Sequence, residues 1–81
     1  MISELFQMLR ERWCCGLPAA PVGLLAREVR VTPTATKVIL ARFIEAGICK
    51  EPRKGFFTLV GPCLTSVDQK FEGMMNSLRR R

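Results

Sequence analysis

Residues Val22 to Ile48, VGLLAREVRVTPTATKVILARFIEAGI, read as two helices joined by a tight turn. Leu25, Ala26, Val29 and Val31 make the apolar side of the first helix and the turn. Thr32 is placed to cap the second helix, because its hydroxyl can accept a free N–H from the next turn. Pro33 then falls at the first helical position, where its missing N–H costs nothing. Ile39, Leu40, Phe43 and Ile44 recur at helical spacing, which predicts a core-facing stripe. Gly47 falls where a helix end needs a left-handed residue. The opposite face carries Thr34, Ala35, Lys37, Val38, Ala41 and Arg42. Small and hydroxyl side chains at the helix start, with a lysine one turn in, suit the major groove of duplex DNA.

Outside this stretch, the N-terminal residues 2–13 predict a helix. Ile2, Leu5, Phe6, Leu9 and Trp13 share one face, and Ser3, Glu4, Gln7, Arg10 and Glu11 share the other. Cys14-Cys15-Gly16 ends it, and residues 17–21, with two prolines, form a loop. Pro21 suits the first turn of the next helix. After Gly47, residues 48–51 and 56–60 predict two short antiparallel strands, with Phe57 and Leu59 alternating toward the core. Pro52-Arg53-Lys54-Gly55 between them has turn chemistry. Gly61-Pro62 breaks the second strand. Thr65 to Asp68 has the spacing of a capping box. Leu64, Val67, Phe71, Met74 and Leu78 follow at steps of 3, 4, 3 and 4, a heptad-type seam.

The run LAREVRVTPTATKVILARFIEAGI, residues 25–48, resembles the helix-turn-helix of winged-helix transcriptional regulators. The following CKEPRKGFFTLV, residues 49–60, resembles their wing: a strand, a basic turn with glycine, and a strand back. The likeness runs without a gap from Leu24 to Val60 and is nearest to GntR-type domains and the small regulators of fimbrial operons. Two positions depart from the pattern. Arg30 stands where the family often has glycine, and Thr36 stands where a core valine or isoleucine is usual.

The resemblance implies a mainly α fold with a small β-hairpin, a winged helix-turn-helix. Residues 1–62 would form the DNA-binding domain. Residues 63–81 would form a C-terminal helix that packs on the domain or dimerises, with a basic tail. The expected function is sequence-specific binding of double-stranded DNA by a small stand-alone transcriptional regulator. Thr34 and Lys37 would meet base edges, and Ala35 or Val38 a thymine methyl. Thr32 and Thr34 could also donate to phosphate, Arg42 would meet the backbone, and Arg53 and Lys54 would reach phosphate or the adjacent minor groove. Arg27 and Arg30 would flank the backbone. Val67, Phe71, Met74 and Leu78 would seam a homodimer.

Composition agrees with a polyanionic partner. The 81 residues carry 13 basic and 7 acidic side chains, a net charge of +6. There is no histidine, which removes the commonest general base and metal ligand. No clustered acid pair or phosphate loop points to an enzyme. Lys54 with Glu51, and Asp68 with Glu72, read as ordinary surface neighbours. Cys14, Cys15, Cys49 and Cys63 lack the paired spacing of a metal site, so no metal or other cofactor is expected. A redox or metal role would need Cys14 or Cys15 near Cys63, and Cys49 reads as a small core hydrophobe. No small-molecule ligand is evident. The N-terminus lacks the layout of a signal peptide, and no apolar run reaches the roughly 20 residues of a membrane span, so a cytoplasmic location is expected. The rival reading is a winged helix used as a protein-interaction module; control of plasmid or phage replication or transfer is a further one.

Overall fold

The computed structural model describes residues 2–61 and 64–79. In chain order it contains α1 (Ile2–Cys14), β1 (Ala20–Pro21), α2 (Val22–Val29), α3 (Pro33–Glu45), β2 (Cys49–Arg53), β3 (Phe56–Leu59) and α4 (Leu64–Arg79). The fold is mainly helical, with a small three-stranded antiparallel sheet of order β1-β3-β2.

The centre is α3, and both of its ends are set as the sequence predicts. The Ala35 N–H donates to Thr32 Oγ1 at 3.2 Å, and Pro33 takes the first helical position. At the other end Gly47 has φ +77°. Its N–H donates to the Ile44 carbonyl, and the Ile48 N–H reaches back to the Phe43 carbonyl at 2.8 Å. Those two bonds form a Schellman motif, and its usual apolar contact is supplied by Phe43 and Ile48, both fully buried.

The end of α2 repeats this motif with a different residue. The Val31 N–H donates to the Ala26 carbonyl at 3.0 Å, and the Arg30 N–H to the Arg27 carbonyl at 3.3 Å. Arg30 sits between them at φ 57° and ψ 44°, the only non-glycine with positive φ among the described residues. The arginine thus adopts the left-handed geometry that glycine usually supplies there. Thr36, the second departure, is fully buried. Its hydroxyl donates to the Thr32 carbonyl at 2.9 Å, so the helix satisfies the group within its own first turn.

Three expectations are corrected. Residues 20 and 21 are not loop: they form β1, with Ala20 opposite Phe57 and Pro21 opposite Phe56. A proline is tolerated there because the strand lies at the sheet edge. Pro21 precedes α2 as its N-cap residue and offers no side-chain bond; the Gly55 carbonyl accepts the Val22 N–H instead, at 3.2 Å. Ile44 does not join the core and is 39% exposed, because the inward stripe of α3 runs through Thr36, Ile39, Leu40 and Phe43. The capping box does not form as expected. The helix already includes Leu64, and the Asp68 carboxylate faces α1 rather than the helix start.

The core gathers Leu5, Phe6 and Leu9 from α1, Leu25 from α2, Phe57 and Leu59 from β3, and Val67 from α4 around α3. Three phenylalanines from three helices lock it. Phe6 and Phe71 stack at 4.0 Å with their planes 5° apart, and Phe43 meets Phe71 edge-on at 6.0 Å. Such contacts add to the burial energy of the rings. Trp13 is half-buried and lies against Gly61 so closely that a Cβ on that glycine would overlap the indole.

Candidate nucleic-acid interface

The outward face of α3 is open to solvent along its length. Thr34, Lys37, Val38, Ala41 and Arg42 are exposed, and Ala35 is half-buried. Thr32 is also exposed. Its oxygen is used in the cap, but its O–H remains a donor that can reach an anion beyond the helix end. The α3 N-terminus adds partial positive charge at the same point.

The hairpin stands beside this face. Between the two runs a groove of about 370 Å³, lined by Lys37, Ala41 and Ile44 from α3 and by Glu51, Lys54, Gly55 and Phe57 from the hairpin. Lys37 and Lys54, 17 positions apart in sequence by their numbers, therefore face one groove from two elements. Glu51 does not simply neighbour Lys54. Its Oε2 accepts the Gly55 N–H at 2.7 Å and so holds the turn in shape. With Gly55 also bonded to Val22, the turn is fastened on both sides and Lys54 is presented from a fixed frame.

No protein-family model, curated protein or solved structure matches the chain.

Arg53 and Lys54 part company at the turn. The Arg53 guanidinium lies over the Phe56 ring, 4.4 Å from its centroid, directly across the hairpin from its own strand position. A cation held over a ring face is drawn by the ring quadrupole. Arg53 thus borders a second groove, of about 360 Å³, with Pro18, Ala19, Pro52 and Phe56, away from α3. Sequence reading missed this stacking, although the order Arg-Lys-Gly-Phe around a two-residue turn brings Arg53 and Phe56 opposite each other. Arg30 lies elsewhere again, in a groove with Gln7, Met8, Glu11 and Glu28 on the α1 side.

The seam residues of α4 are mostly occupied within the chain. Val67 is buried in the core, Phe71 stacks on Phe6, and Met74 packs against the same cluster. Leu78 is half-buried.

Among the cysteines, Cys14 and Cys15 are exposed and Cys49 is buried. Burial pushes the Cys49 thiol from 9.0 up to about 12, so it stays protonated at neutral pH and packs as a small hydrophobe. Cys63 and the pairing it would need lie outside the described residues. Among the described residues, no group of cysteine and carboxylate side chains could hold a metal ion, and no helix is long and apolar enough to cross a membrane.

Proposed function

We propose that the chain is a winged helix-turn-helix protein that binds double-stranded DNA and regulates transcription from the cytoplasm. The observation that carries this reading is the groove shared by Lys37 and Lys54, which opens beside the exposed face of α3. In this reading α3 enters the major groove, with Thr34 and Lys37 at base edges and Ala35 or Val38 at a thymine methyl. Lys54 meets the phosphates that border the groove, Thr32 donates to a phosphate at the helix start, and Arg42 meets the backbone. Arg53, held on Phe56, reaches the neighbouring minor groove. The succession of three helices, a hairpin and a last helix is consistent with this docking.

The test compares Lys37→Ala with Lys54→Ala on a selected duplex and on random duplex across a salt series. Lys37→Ala is expected to cost roughly 1–3 kcal/mol and relax specificity at one position, whereas Lys54→Ala weakens all sequences alike and lowers the salt slope by about 1. Absence of DNA binding by the unmodified chain at low salt would overturn the reading.

A second reading has one observation in its favour. Val38 is 56% and Ile44 39% exposed on the same helix, which suits docking of an apolar protein surface. Lysine in place of Ile44 separates the two. It preserves or strengthens DNA binding but would abolish an apolar protein contact.

A further inference from the structure

The 16 residues of α4 place only Val67 among the buried positions. Phe71, Met74, Met75 and Leu78 are half-exposed. A helix of this length draws most of its stability from packing of its apolar face, and here that face is only partly covered. The flank turned from the core carries Glu72, Met75, Asn76 and Arg79, which with Ser3 and the edges of Phe6 and Phe71 line an open groove of about 340 Å³ between α1 and α4. Asp68 also borders this groove but is already gripped by Arg10. Glu72 and Arg79 have no ion pair among the described residues.

Those two free charges are opposite in sign and lie two helical turns apart on one flank. Turned end for end about an axis between Met75 and Asn76, the helix places Glu72 opposite Arg79 of a second copy, and Arg79 opposite its Glu72. The flank is therefore complementary to itself in the antiparallel sense. In the parallel sense it sets like against like, which costs affinity. A two-fold contact of this kind is isologous and closes on itself.

We propose that the α1–α4 groove receives a second copy of the chain, with the two α4 helices antiparallel and Glu72 and Arg79 paired reciprocally. The contact borders the Val67–Phe71–Met74 stripe and shares only the Phe71 ring with it. It does not rest on the DNA reading and is measured without DNA.

Sedimentation equilibrium of the full chain tests it, with circular dichroism to establish that each variant keeps its helices. The unmodified chain is expected to be dimeric at high protein concentration, and E72R and R79E each to associate at least tenfold more weakly. The double variant E72R/R79E restores association, because both pairs are reversed together. An equimolar mixture of the two single variants associates as well, since each supplies the charge the other lost. A folded chain that stays monomeric up to roughly 1 mM overturns the proposal. So does a dimer that neither single reversal weakens, because its contact then lies elsewhere. Folded single variants that weaken association with no recovery in the double variant or the mixture also overturn the antiparallel register.

Discussion

Arg10 grips Asp68 through two parallel bonds, Nε to Oδ1 and Nη2 to Oδ2, each 3.0 Å, and so ties α1 to α4. The hydrogen bond to Asp68, and then the charge on that carboxylate, raise the Arg10 pKa above its ordinary value. The pair is partly exposed, so water and salt screen it and its share of global stability is small. Its geometric role is larger, because the fork fixes orientation. Asp68→Asn is expected to leave the melting temperature nearly unchanged while speeding amide exchange in α4 relative to α3. Equal protection in both helices, before and after the change, would show that the stack of Phe71 on Phe6 fixes α4 unaided.

Arg30 holds a backbone conformation that costs an L-residue roughly 1–2 kcal/mol. Glycine removes that cost but adds freedom to the unfolded chain, about 0.5–1 kcal/mol. Arg30→Gly is therefore expected to stabilise by up to about 1 kcal/mol, read from the urea midpoint at unchanged slope. A destabilised variant would mean that the arginine side chain contributes more along the α1 groove than the backbone loses.

Gly61 is required by its neighbour rather than by its own backbone. A methyl group there meets Trp13 Cζ2 and Cη2, and the ring is a poor candidate to move because it packs against the core. Gly61→Ala is expected to destabilise by about 1–3 kcal/mol, the usual cost of overpacking. Adding Trp13→Leu should recover part of that loss, since the smaller side chain vacates the space. If the two changes instead add independently, the contact is not what the glycine protects.

Cys49 links stability to alkaline pH. Its thiol ionises at about 12 in the folded chain against an ordinary 9.0. The folded state therefore binds the proton more tightly, and this contribution is complete below pH 9. It is lost as pH rises from about 9 to about 12. Cys49→Ala should flatten the fall in stability across that window, measured against the unmodified chain in denaturant. At neutral pH, thiol reagents are expected to label Cys14 and Cys15 rapidly and Cys49 only on unfolding, a difference that mass spectrometry resolves.

The bounds of α3 were legible because its ends carry chemical signals: Thr32-Pro33 opens it and Gly47 closes it. Arg30 and Thr36, the two departures from the pattern that the sequence resembles, were legible as positions but not as outcomes. Backbone geometry at Arg30 and the internal hydroxyl bond of Thr36 explain how each is accommodated. β1 was not legible, since two residues, one of them proline, show no alternation, and only pairing with β3 defines them. Ile44 was misplaced because it sits one residue, roughly 100°, beyond Phe43, far enough to turn it from the core to the groove. Of the candidate site, the open face of α3 could be read from the spacing of its residues. The meeting of Lys37 with Lys54, and the separation of Arg53 from Lys54, depend on how the hairpin leans and could not.

Gly55 has a consequence for anyone who wishes to engineer this chain. Hairpin tips are ordinarily the tolerant places to splice in a peptide tag or to open new termini. Here the tip is a fastening: the Gly55 N–H is held by Glu51 and its carbonyl by the Val22 N–H. An insertion between Lys54 and Gly55 would unclip the start of α2 as well as the turn. The loosening would then pass through a helix of only eight residues to the turn that aims α3. A graft at this tip would act at a distance, shifting the aim of α3 without touching it.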